Sequence, residues 1–237
     1  MPEIASDAGE DGGNEAKRGI VTPRRALARL RDSQSEADAR VREAIERATL
    51  VSCGELGYRK VAVRDVIERY GGYRAQFYRH YSSKAAVYAA AYEAEAERLC
   101  EALLGAAAAE GSWRAGLRAA LRELSSFVEA EPVLARGLLV EVHVAGGAAL
   151  EKRGEVFERL SSAMDGARRE TSGSRHSPPP IAAAFMVGAI EEAVCAELVT
   201  GTPERFTAAV PQLAQMVVNA FFGAEAAREE LEALGTA

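Results

Sequence analysis

Between Tyr70 and Tyr92 the sequence carries no acid, and inside that window Tyr73, Arg74, Gln76, Tyr78, Arg79, His80 and Lys84 gather cations, an amide and phenol hydroxyls. These are donors suited to phosphate oxygens and base edges in the field of a polyphosphate, whereas an ordinary solvated helix mixes charge signs. Catalytic constellations are not found elsewhere. His80, His143 and His176 are isolated from one another, and Cys53, Cys100 and Cys195 lack CxxC or His spacing. With no Gly-rich phosphate loop and no nucleophile elbow, neither an enzyme, a metal nor a cofactor is expected.

The elements that must position these donors are short. Val63, Val66 and Ile67 recur at i, i+3, i+4, so they form the apolar stripe of a helix that Tyr70 closes, with Arg64, Asp65, Glu68 and Arg69 on its wet face. Gly71 and Gly72 follow, supplying the positive-φ conformations that end one helix and turn into another. The second helix spans about Tyr73 to Tyr81, with Phe77 and Tyr81 as its buried pair. This is helix-turn-helix punctuation.

The segment from about residue 40 to 95 resembles the DNA-binding domain of the tetracycline-repressor (TetR) family of bacterial transcription regulators. The resemblance rests on a first helix ending at Cys53-Gly-Glu-Leu-Gly-Tyr58, a second over Val63 to Tyr70, then Phe77-Tyr78-Arg79-His80-Tyr81 and Ser83-Lys84 opening a long fourth helix. It implies an all-α chain: an N-terminal three-helix helix-turn-helix domain followed by a C-terminal helical domain for ligand binding and dimerisation. Tyr78 and Lys84 are then expected at phosphates, and Arg74 and Gln76, at the N-terminal end of the recognition helix, at base edges. Three positions depart from the family pattern. Val61-Ala62-Val63 has no capping oxygen, a loss of roughly 1 kcal/mol; Gly72 replaces an apolar residue, which should loosen the turn; and Tyr73 replaces a small capping Ser.

The formal charge of the whole chain is −6, but its distribution is uneven: Lys17 to Lys84 contains 16 Lys and Arg against 8 Asp and Glu. A basic head on an acidic body is the asymmetry expected of a DNA-binding regulator. Residues 1–34 are expected to be a disordered N-terminal arm that is basic over KRGIVTPRRALARLR, Lys17 to Arg31. This stretch, with Arg24 and Arg25, is either a solvated tether or an arm lying along the minor groove. The first helix is expected to start at Ser35, giving domains at 35–83 and 84–237.

Beyond Lys84 the helical pattern continues to about Ala109, long enough to span close to 38 Å at 1.5 Å per residue. Val133 to Ala145 is nearly all apolar and expected at the centre of the body, followed by a Gly146-Gly147 break. There His143 is either a satisfied core histidine or the polar group of a ligand cavity, and Trp113 and Met186 are either core or pocket residues. The helices Ile181 to Val199 and Glu204 to Phe222 are too apolar for solvent, and doubled by a two-fold axis they would form a homodimer interface. The apolar run Ile181 to Ile190 is about half a membrane span and stops at Glu191-Glu192, so a cytoplasmic protein with no membrane partner is expected. The leading expectation is a homodimeric repressor released from double-stranded operator DNA by a small, mostly hydrophobic effector. The alternative is a helical ligand- or protein-binding dimer that has lost DNA binding.

Overall fold

A computed structural model describes residues 23–167 and 178–235. By internal contact the chain divides into Met1–Arg40 and Val41–Ala237. Helix α1, Pro23–Leu56, starts twelve residues before the expected Ser35. Pro23 accounts for the early start: its fixed φ suits the first helical position, and the Ala, Arg and Leu residues after it are strong helix formers. Arg24 and Arg25 therefore lie in the first turn of a helix and not in an extended arm. Residues 1–22 lie outside the described residues.

In the second unit, α2 (Val63–Tyr70) and α3 (Arg74–His80) pack on the C-terminal half of α1 to form the head. The absent capping oxygen is partly replaced from the other side: the Asp65 carboxylate accepts the Ala62 N–H at 2.7 Å. Only Gly71 of the two turn glycines has positive φ, 72°, and it ends α2. Gly72 is required for space. A methyl group there would lie 1.9 Å from the Tyr70 ring, whose hydroxyl donates to the Tyr73 carbonyl at 2.9 Å. Far from loosening the turn, Gly72 lets Tyr70 close it.

The body begins at α4, Lys84–Ala108, capped by Ser83, whose hydroxyl accepts the Ala86 N–H at 3.1 Å. Helix α5 is Trp113–Ala130, with Leu117, Leu121, Leu124 and Val128 on its buried face. The apolar stretch expected as one central helix is two: α6, Pro132–Leu139, and the single turn α7, Val142–Ala145. The break falls at Glu141, which is buried and accepts the Tyr58 N–H at 2.7 Å. Helices α8 (Gly147–Met164), α9 (Ala182–Thr200), α10 (Pro203–Phe222) and α11 (Ala224–Gly235) complete the described residues, among which there is no strand. The sequence pattern gave no warning of α11. It is held by Glu230, 2% exposed, which pairs with Arg118 on α5 at 2.6 Å.

Two apolar cores result. One joins head to body through Ile45, Leu50, Val66, Phe77, Tyr88 and Leu138; the other fills the body around Leu121, Val128, Val194, Phe206 and Phe221. Where α1 crosses α6 the backbones touch. A methyl group on Gly54 would come within 1.9 Å of the Val133 carbonyl oxygen, one on Gly137 within 2.0 Å of that of Leu50, and the Tyr88 hydroxyl donates to the Gly137 carbonyl at 2.8 Å.

Candidate nucleic-acid interface and ligand cavity

Helix α3 is anchored by one face. Phe77 is fully buried, with Tyr81 beside it at 6.0 Å between ring centroids, and the Tyr81 hydroxyl donates to the Glu46 carboxylate of α1. Burial, reinforced by that bond, pushes the Tyr81 phenol upward, so it keeps the proton it donates to Glu46. Helix α2 is tied to α1 through Arg69, which donates to the Ser52 hydroxyl at 3.0 Å and pairs with Glu55. These contacts fix the angle at which the opposite face of α3 is presented.

That face carries Tyr73, 80% exposed, with Arg74, Tyr78 and Arg79 also in solvent. The Arg74 guanidinium lies 5.3 Å from the Tyr78 ring centroid, a cation–π contact that limits its wandering. Gln76 is half-buried at the N-terminal end beside Gly72. His80 turns back: it is half-buried, 6.4 Å from Tyr81 between centroids, and its Nε2 is enclosed with no hydrogen-bond partner among the described residues. It packs the head more than it faces outward.

Lys84 departs most from expectation. Its ammonium donates to the Tyr58 carbonyl at 2.7 Å and to the Val61 carbonyl at 2.9 Å, and it sits 4.3 Å from the Tyr58 ring centroid. A charge held by two carbonyls and a ring is a strut between α4 and the loop after α1, a role that the phosphate expectation did not include.

A cavity of about 240 Å³ opens between α4, α5, α6, α8 and α9. Its wall is apolar, with Leu99 and Leu103 from α4, Trp113 and Leu121 from α5, Leu138 from α6 and Phe157 from α8. Trp113 lines this wall and also packs in the core, its ring 5.5 Å from those of Phe221 and Phe222. Met186 is half-buried against the body core but is not part of the wall. His143 is exposed on α7, outside the cavity and outside the core, which corrects both expectations for it. The reason is the break at Glu141: the single turn that follows buries Val142 and leaves His143 in solvent.

The polar part of the wall went unrecognised in the sequence. Arg153 of α8 and Glu191 of α9 form a bidentate pair, with Nε donating to Oε1 at 2.7 Å and Nη2 to Oε2 at 2.5 Å, and both line the cavity. Tyr92 lines it too, its phenol pushed upward by burial and by Glu191. Nearby, burial pushes the Cys195 thiol up to about 11, and that of Cys53, in the head, up to about 12, so both are neutral thiols near pH 7. The signal for the pair was Glu191 itself, an acid interrupting an apolar run, but its partner lies 38 residues away. No group of His, Cys, Asp and Glu among the described residues could hold a metal ion, and no single helix among them is long and apolar enough to cross a membrane.

No protein-family model and no curated protein matches the sequence. Among solved structures, the chain is similar to the fatty acid degradation regulator FadR from Bacillus halodurans, with a TM-score of 0.64 and 16% identity over 74% of this chain and 96% of that one. It is also similar to a TetR family transcription regulator from Marinobacter aquaeolei VT8, with a TM-score of 0.62 and 17% identity over 79% and 97% of the two chains. The fold is the TetR fold. FadR from Bacillus subtilis, solved in complex with stearoyl-CoA, gives a TM-score of 0.64 and 16% identity over 76% of this chain and 97% of its own. In that fold α1 to α3 form the helix-turn-helix head and α4 connects it to the body.

Proposed function

We propose that the chain is a cytoplasmic, non-enzymatic transcriptional regulator that binds double-stranded operator DNA as a homodimer and is released by a small, mostly hydrophobic effector. The observation that carries this reading is the double use of α4. At its first residue Lys84 grips the head, and from Tyr92 to Ala107 the same helix lines the apolar cavity. Arg74 and Gln76 are assigned to base edges, and Tyr73, Tyr78 and Arg79 to phosphates. The homodimer would form through residues 181–199 and 204–222, whose outer faces expose Ile181, Phe185, Val199 and Met216. An effector filling the cavity would select a dimer geometry in which the two α3 helices no longer match half-sites about 34–36 Å apart, and a coupling of about 1–3 kcal/mol gives 5- to 150-fold release. FadR from Bacillus subtilis, solved in complex with stearoyl-CoA, supports a chain of this fold binding a ligand with an acyl chain.

The test is a mobility shift with the DNA upstream of the chain's own gene, alongside light scattering. A specific shift by a dimer is expected. A dimer that binds this DNA no better than random sequence would favour the alternative of a binding module without DNA recognition.

A further inference from the structure

The cavity's polar chemistry narrows what can fill it, given that the cavity is the effector site. Nearly all of the wall is hydrocarbon and aromatic, and its ionised groups, Arg153 and Glu191, are committed to each other at 2.7 and 2.5 Å. The bidentate contact uses Nε and Nη2 of the guanidinium and leaves the Nη1 donors; the carboxylate keeps lone pairs on both oxygens. Donor and acceptor are thus offered side by side by a pair of zero net charge. An anionic head drawn to Arg153 meets Glu191, and a cationic head drawn to Glu191 meets Arg153; either must also leave water for an apolar enclosure. A neutral head that both accepts and donates meets no such opposition. The volume, about 240 Å³, bounds the size of the apolar part.

We infer that the Arg153–Glu191 pair is the polar anchor of the effector site and that the effector is a neutral amphiphile: a short apolar body ending in one carboxamide- or alcohol-type group. The site carries its own reporter, because Trp113 is the single tryptophan of the chain and lies in the wall.

The experiment titrates the full-length protein, without DNA, with octanamide, octanol, octanoate and octylamine at pH 7, following Trp113 emission. Octanamide and octanol should bind on the order of tenfold or more tighter than the two charged compounds, a difference of about 1.4 kcal/mol. Glu191→Gln, which frees the guanidinium, should invert the order in favour of octanoate by a similar factor, and Arg153→Gln should favour octylamine. Should a single variant fail to fold, the Arg153→Met, Glu191→Met double variant leaves no unpaired charge, and it should bind octanamide and octanol on the order of tenfold more weakly than the unaltered protein, because the polar anchor is gone. Tightest binding of octanoate or octylamine by the unaltered protein would overturn the inference, as would an unchanged ranking in the variants. Because DNA is absent, a failure here leaves the regulator reading standing, and a regulator that fails on DNA leaves this ranking intact.

Discussion

On α3 the outward side chains Tyr73, Arg74, Tyr78 and Arg79 fall within seven residues and stand in solvent, whereas the polar groups of the cavity, Arg153 and Glu191, come from two helices and neutralise each other. The outward face of α3 carries cations and no acid, whereas the cavity balances its own charges. A surface that meets a polyphosphate can be assembled from consecutive residues of one helix, because its partner supplies the order. An enclosed site must be assembled by the fold, and its polar groups must be satisfied before any ligand arrives.

The sharpest way to break this contrast is to remove the anchor of α3. Phe77→Ala should lose about 3–5 kcal/mol, as large-to-small changes at fully buried aromatics do, and should melt the head while Trp113 emission in the body stays native. Loss of both signals together in a thermal melt would mean that head and body cannot be treated separately.

Lys84 separates the two kinds of charge more finely. Lys84→Ala should destabilise the head by about 1–3 kcal/mol by leaving two carbonyls without their donor, seen as a lower melting temperature, while the salt dependence of DNA binding keeps its slope. Arg79→Ala should do the reverse, flattening the log–log salt slope by about one unit with little change in melting temperature. Equal slopes for the two variants would return Lys84 to the phosphates.

Within α3, Gln76→Ala should cost about 1–3 kcal/mol on the best operator and relax the preference at one base pair. Uniform loss on specific and random DNA would move Gln76 from base reading to positioning. At the smallest end, His143→Ala should leave both operator affinity and effector response where they were, in contrast to Trp113→Ala, which should change the effector response. A weakened response in the His143 variant would show that the exposed α7 turn communicates with the cavity.

The head was legible because its signals are short-range. The stripe Val63, Val66, Ile67, the turn at Gly71 and the buried pair Phe77 and Tyr81 each lie within a turn or two of chain. The misreadings there came from side chains reaching over longer distances: Lys84 to a loop 23 and 26 residues earlier, and Tyr70 over Gly72. In the body, helical periodicity located α4, α5, α9 and α10, yet an apolar stretch does not reveal where it breaks. Val133 to Ala145 breaks at a glutamate whose partner is the Tyr58 backbone, 83 residues away, and His143 was misplaced with it. Arg153 and Glu191 could not be paired from spacing at all, since no periodicity connects two helices.

The crossing of α1 over α6 at Gly54 and Gly137 has a bearing on how the chain tolerates change. Helices usually approach to 8–10 Å through interleaved side chains, and those side chains can adopt new rotamers when either helix shifts. Here the facing atoms are peptide oxygens and glycine α-carbons, which have no rotamers to exchange. Either glycine is closed even to alanine unless the helices separate, so the two positions must vary together or not at all. A substitution library should therefore find this crossing as a pair of positions where single replacements are lost for want of one methyl group's space.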